Sequence, residues 1–445
     1  MTGYWLPYAY LPDGPAADVL IIERGGLIAE VITNANRAVA DVRFDGIGLP
    51  GFANAHSHAF HRALRGRTHG GGGTFWTWRK QMYATASRLD PDSYFALARA
   101  VYAEMVLAGM TVVGEFHYLH HDHDGRRYAN PNAMSEALVA AAAETGIRLT
   151  LLDVCYLSGG LDADGHQPLD PVQRRFSDGS VAAWAERVGS FAETHADSPT
   201  VRVGVAAHSV RAVPAEDLAL LSAARPAGPL HVHLSEQPAE NAAVQAYYGC
   251  TPTELLSRAD LLGAQTTAVH ATHLSAGDIA LLGGTGTGAC FCPTTERDLA
   301  DGIGPARALA DAGSPPSLGS DQHAVIDMFE ELRGLEMHER LDTNHRGRFT
   351  PTELITAATA TGYHALGWAG GGRLAVGAPA DLVIIDPMSP RTAGTRPDQT
   401  HYAATAADVT DVIIGGRRVV ADRAHRLGPV GPMITDALDH LENPR

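Results

Sequence analysis

Residues 48–58 read GLPGFANAHSH, a short apolar run that ends in two histidines. Seven more runs of that kind follow: Thr111–Phe116, Arg148–Cys155, Val201–Ala207, Pro229–Leu234, Thr267–Ala271, Gly288–Cys292 and Pro316–Ser320. The first, Gly48–Ala55, opens the series. Each has the length and composition of a strand buried on both faces. Helix-like stretches such as PDSYFALARAVYAEMVLAG, EALVAAAAETG and AEDLALLSAAR stand between most of them. Eight buried strands alternating with helices predict a parallel α/β fold, and eight is the strand number of a (β/α)8 barrel. The count favours that barrel over a doubly wound open sheet.

Outside this series the pattern changes. Residues 1–50 alternate apolar and polar positions between turn residues, as in DVLIIERGGLIAEVITN, and RLAVGAPADLVIID and DVTDVIIGGRRVVADR do the same within 373–425. Both ends read as short β-strands able to pair into one small sheet domain. The expected division is therefore 1–50, 51–372 for the catalytic barrel, and 373–445. At 445 residues and 45% hydrophobic composition the chain can bury a large core. The net charge of −16 disfavours nucleic-acid and membrane-surface partners. No apolar run reaches the ~18–20 residues of a membrane span. The first residues lack the pattern of a signal peptide. Four cysteines without framework spacing point to reduced thiols and a cytoplasmic protein.

The polar residues cluster where barrel chemistry is done, at the C-terminal ends of the runs. His56 and His58, two apart on a strand, face the same way and can grip one metal. Further along stand Glu115-Phe116-His117-Tyr118, His208 with Arg211, His231-Val232-His233 with Glu236, His270 followed by His273, and Ser320-Asp321. His231, below its strand end, reads as a hydrogen-bonded barrel residue, and His120, His121 and His123 as a polar surface loop. An HxH on the first strand, histidines on the fifth and sixth and an aspartate on the eighth hold donors enough for three-histidine, one-aspartate ligation with room for a water.

The segment Gly51–His58, together with His233, His270, Asp321 and the β-rich ends, resembles the amidohydrolase superfamily along essentially the whole chain. The resemblance implies a distorted TIM barrel with a composite β-sandwich built from both termini. Two-metal members need a carboxylated lysine, and the single lysine, Lys80, lies outside the strands. One metal per chain, zinc or another divalent transition metal, is therefore expected. Within the superfamily AHSHAFHRALRG, TFWTWRKQMY, GEFHYLHHD, AHSVRAV and HVHLSEQ look like the formimidoylglutamate deiminases. His61 stands where that group has Gln, and Gln322 where it has Ser.

That resemblance implies zinc held by His56, His58, His233 and Asp321, with His270 and Asp321 taking the proton of water and Glu236 delivering it to departing ammonia. It also implies a homodimer, and places His208 beside the substrate. A glutamate-derived dianion needs local cations in an acidic protein. Arg79 and Arg211 fit that need, because guanidinium forks match carboxylates. Tyr118 and His61 can add donors, His61 as an imidazolium against a carboxylate. Trp76 and Trp78 are expected to pack a lid loop. Competing expectations are a nucleobase-type deaminase, an imidazolonepropionase-like hydrolase and a catalytically inactive scaffold.

Overall fold

The computed structural model describes residues 1–70 and 73–443. Eight parallel strands run in sequence order around a barrel: β1 (Phe52–Ser57), β2 (Met110–His117), β3 (Arg148–Cys155), β4 (Val201–Ala207), β5 (Leu230–Leu234), β6 (Thr266–His270), β7 (Gly288–Phe291) and β8 (Pro316–Leu318). Continuous ladders join each neighbour from β1 to β8. The last gap, between β8 and β1, has a single parallel bridge, Ser57 to Asp321. There Asp321 N–H donates to His56 O at 3.0 Å and His58 N–H to Asp321 O at 3.1 Å. Below it Asn54 Nδ2 donates to Ser320 Oγ at 2.7 Å, and Ser320 N–H returns a bond to Asn54 Oδ1 at 2.9 Å. A Cβ on Gly319 would lie 2.8 Å from His56 Cβ, so only glycine lets β8 approach β1 this closely.

The helices begin and end where the sequence dictates. Pro91–Leu107 starts behind Asp90, whose carboxylate accepts from Ser93 N–H while Ser93 bonds back, and Pro91 fills the first turn. Ala133–Thr145 stops at Gly146, whose φ of +85° belongs to the left-handed region.

Both chain ends enter one mixed sheet of nine strands. Its centre is the antiparallel pairing of Leu382–Ile385 with Ile47–Pro50, and Ile47–Pro50 runs parallel to Thr2–Leu11. Leu6, Ile21, Leu382, Ile384 and Ile413 give this sheet its own core. The run expected as one strand over Gly48–Ala55 is two. Ile47–Pro50 belongs to the terminal sheet and Phe52–Ser57 to the barrel. The break falls at Gly51, where a Cβ would lie 2.1 Å from Thr111 Oγ1. The final helix, Val430–Glu442, packs on Pro91–Leu107.

A buried ion pair joins the two layers. Asp381, just before Leu382, accepts from Arg148 Nε and Nη2, both at 3.0 Å, from Tyr363 Oη at 2.7 Å and from Gly415 N–H at 2.6 Å. Its backbone oxygen accepts from Gly51 N–H. All four cysteines are buried and unbridged, and no helix among the described residues is long and apolar enough to cross a membrane.

Asp381→Ala would leave the Arg148 guanidinium buried without its partner, a change that typically costs about 3–5 kcal/mol. Calorimetry should show a midpoint several degrees below that of the parent. An unchanged midpoint would mean the junction is held elsewhere.

Candidate metal centre and pocket

The metal-ligating candidates converge at the barrel mouth. His56 and His58 leave β1 on one face, His233 lies in β5, and Asp321 follows β8. His56 Nε2 lies 3.1 Å from His233 Nε2. Asp321 Oδ1 is 3.4 Å from Nε2 of both His56 and His58. Neighbouring carbonyls fix two of the rings: His58 Nδ1 contacts Phe116 O and His233 Nδ1 contacts His208 O, each at 3.0 Å. This leaves each Nε2 directed at the common centre, the usual outer-shell arrangement around metal-ligating histidines.

The electrostatics separate the members. Burial lowers the His56 imidazole, and burial with the neighbouring His56 lowers His58 to about 3, so both present neutral nitrogens. Burial alone would raise the Asp321 carboxyl, but His56, His270 and His58 hold it far below the usual carboxylate range. Burial likewise opposes charge on His270, yet Glu236, Glu296 and Asp321 outweigh it and hold that ring well above the ordinary imidazole value. Backbone strain gathers here too. Ser235, His270, Ala271, Asp321 and His323 all have φ between +43° and +69°, a cost that persists where surrounding structure enforces a functional geometry.

Above the cluster lies a pocket. Its wall includes His58, His61, Arg79, Tyr118, His208, Arg211, His233, Glu236, His270 and Asp321. Of the eleven residues given a catalytic, substrate-binding or metal role from the sequence, all reach it except His56, which is fully buried in the floor beneath. Arg211 comes from the segment after β4 and is set by Glu240, which accepts from its Nε at 3.1 Å; its Nη2 is 3.7 Å from Glu236. Arg79 comes from the helix Phe75–Ala86, donating from Nε to Tyr83 Oη at 2.7 Å and from Nη2 to Gly159 O at 3.3 Å. Trp78, from the same helix, is buried with its ring 5.1 Å from that of His61. The side chain of Trp76 lies outside the described residues.

A model of the amidohydrolase family matches residues 47–419. The chain belongs to this family. It is 38% identical over 443 residues to the formimidoylglutamate deiminase of Pseudomonas aeruginosa, covering 96% of each chain. Among solved structures it resembles an amidohydrolase from Brucella melitensis, with a TM-score of 0.92, 33% identity and both chains fully covered. It also shares its fold with a zinc-bound adenosine deaminase from Xanthomonas campestris, with a TM-score of 0.84, 23% identity and coverage of 99% and 98%.

The donor set of this amidohydrolase suits a zinc-class ion. Ligands at ~2.0–2.1 Å in a tetrahedron stand about 3.4 Å apart, and the spacings here are 3.1, 3.4 and 3.4 Å. Lys80 is exposed on the helix Phe75–Ala86 and supplies no bridge at the centre.

Two expectations change. His61 is buried, its Nε2 is 3.0 Å from Tyr118 Oη, and burial with the facing His58 holds it well below the ordinary imidazole range. These surroundings favour the neutral ring, where an imidazolium was expected. His120 and His121 do not lie on a surface loop. His120 donates to Val154 O at 2.8 Å, and His121 faces Asp178 at 3.3 Å beside Arg187, which spans Asp153 and Asp178. His123 alone is exposed. Gln322 donates to Asp298 at 2.7 Å. His231 does bond within the barrel, to Ala365 O at 2.9 Å.

The sequence reading missed Tyr83, Tyr156, Glu240, Glu296 and Asp301. Tyrosines carry no spacing signal, and the acids matter only through what folding sets beside them. Glu296 Oε1 stands 3.6 Å from His270 Nδ1. Burial and the charge of Glu236 push the Asp301 carboxyl up to about 9.

His58→Ala removes one of four converging donors. Elemental analysis should find the divalent metal reduced from about one per chain to a small residue, with an unchanged circular-dichroism spectrum. Full metal retention would place the ion on other residues.

Proposed function

We propose that this amidohydrolase adds water to the formimidoyl carbon of N-formimidoyl-L-glutamate, releasing ammonia and leaving N-formyl-L-glutamate. The observation that carries the proposal is two arginines, Arg79 and Arg211, lining the same pocket as the His–Asp cluster and Glu236. The same pocket offers guanidinium groups to a dicarboxylate and hydrolytic machinery to the formimidoyl group. The 38% identical deiminase supports the same reading.

His56, His58, His233 and Asp321 would hold the zinc, which supplies Lewis acidity that brings the pKa of water toward neutrality. The remaining chemistry belongs to side chains. Arg211, fixed by Glu240, and Arg79, fixed by Tyr83, anchor the carboxylates of the substrate. Tyr118 Oη, His208 and the neutral His61 line the passage between them and add hydrogen bonds that orient the chain. Asp321 accepts the proton of the attacking water; His270, 3.8 Å away and held well above the ordinary imidazole value, passes its own proton on and takes this one in exchange. His270 Nε2 is 3.7 Å from Glu236 Oε1, a separation that lets the proton pass to Glu236 once the groups close up. Glu236 hands it to the terminal imine nitrogen. That nitrogen leaves as ammonia, because an unprotonated amide ion is too basic to depart. Water supplies the new carbonyl oxygen, and both of its protons end on nitrogen.

Two guanidinium groups in the pocket wall favour an anionic substrate over a neutral purine-type one. A panel of N-formimidoyl-L-glutamate beside adenine and guanine nucleosides should therefore give ammonia from the first alone. Finding mainly formamide and glutamate would put the proton on the wrong nitrogen; deamination of the nucleosides instead would overturn the substrate.

The arginine assignment has its own check. Arg211→Met removes a charge-assisted contact of about 1.5–3 kcal/mol, and kcat/KM should fall at least about tenfold while metal content stays at the parent level. Parent-like kinetics would mean that the carboxylates bind elsewhere.

A further inference from the structure

A second set of donors lies beside the first. Glu236 follows β5, His270 ends β6, and Asp301 lies shortly after the helix Pro293–Asp298 that follows β7. One donor atom from each falls within 4.8 Å of the other two. All three residues are buried; Asp301 is 2% exposed. Its carboxyl is positioned but incompletely satisfied. Gln237 Nε2 donates to Oδ1, and the His273 ring bonds its backbone oxygen at 2.7 Å, but Oδ2 has no hydrogen-bond partner. A carboxyl oxygen without a partner at this depth is costly, and a bound cation that displaces the acid proton is one way to satisfy it.

We infer that Glu236, His270 and Asp301 form a second, weaker site for a zinc-class divalent cation, whose filling withdraws Glu236 and His270 from proton transfer. Two carboxylates and an imidazole are ligands that zinc accepts. This inference rests on the first ion being held by His56, His58, His233 and Asp321, so that the two sets share no residue.

Three observations make the second site weaker. It offers three protein donors where the first offers four. Its Glu236–His270 spacing of 3.7 Å exceeds the tetrahedral edge of about 3.4 Å, so the side chains must draw in before they can bind. Arg211 Nη2 stands 3.7 Å from Glu236 Oε2 and opposes a second positive charge. Excess zinc therefore acts as an inhibitor: it occupies the carboxylate that would carry the proton to the leaving nitrogen and leaves the first ion in place.

The test uses the folded holoprotein carrying one tightly held zinc. Equilibrium dialysis against increasing zinc, without substrate, should reveal a second equivalent bound at least about tenfold more weakly than the first. Ammonia release should fall in parallel with its binding. Asp301→Asn keeps the size of the side chain and should weaken the second equivalent at least about tenfold while leaving the first unchanged. If that variant does not fold, Glu236→Gln challenges the same donor set by the same isotherm. A stoichiometry that stays at one in the parent, a second equivalent that survives these substitutions, or one that binds without inhibiting overturns the proposal. Because the isotherm is read without substrate, failure to hydrolyse N-formimidoyl-L-glutamate would disprove the functional reading and leave this test standing.

Discussion

The closure of the barrel between β8 and β1 is the constraint on which the site depends. Seven ladders hold the other strands, but here the backbone bonds at Ser57 and Asp321 do most of the work. Those bonds flank the side chains that face the centre, so the contact that closes the cylinder also sets His56 and His58 against Asp321. Asn54 and Ser320 lock it from below. Glu115 holds it from the side, accepting from Ser57 Oγ at 2.8 Å and Ala59 N–H at 2.7 Å. His323 bridges Ser57 and Ser320, at 3.2 and 2.9 Å. In this arrangement a loosened seam and a lost metal geometry are the same event.

Electrostatics explain how so many ionisable groups are buried together. Each buried histidine at the floor meets a carbonyl, a carboxylate or another ring that fixes which nitrogen faces the centre. Charge is concentrated on the other side of the mouth, where Glu236, Glu240, Glu296, Asp301 and Arg211 surround His270. Strong interaction among close groups makes this half suited to moving protons, because small displacements change which group holds one. The neutral floor and the charged wall thus divide the labour: one side is built to hold a cation, the other to pass protons toward a leaving group. The left-handed backbone at His270, Asp321 and His323 is part of that division, since it turns side chains inward at strand ends where extended backbone would point them elsewhere.

Much of the fold was legible along the chain. The eight apolar runs gave the strands because a strand buried on both faces needs apolar residues at nearly every position. Asp90, Pro91 and Gly146 bound their helices through contacts between residues adjacent in sequence. The HxH of His56 and His58 was legible for the same reason: a period of two puts both rings on one face of one strand. The break at Gly51 was not legible, since nothing in GLPGFANA says that two different sheets claim its halves; the side chain of Thr111, sixty residues on, decides it.

What the sequence determined by itself was therefore the local inventory: the strands, the caps, the HxH pair, the acidic balance, and a residue pattern that matches a known family from end to end. What only the tertiary structure decided was which side chains meet and in what state. His120 and His121, polar loop residues in one dimension, are buried against an ion-pair network. His61 is held below the ordinary imidazole range by burial and by the facing His58. Arg211 is aimed by Glu240, and Asp301 becomes a site candidate only because folding places it beside Glu236 and His270. The physical reason is range. Periodicity and capping act between residues a few positions apart, whereas burial, charge coupling and the approach of strand ends act between residues that the barrel brings together from the whole length of the chain.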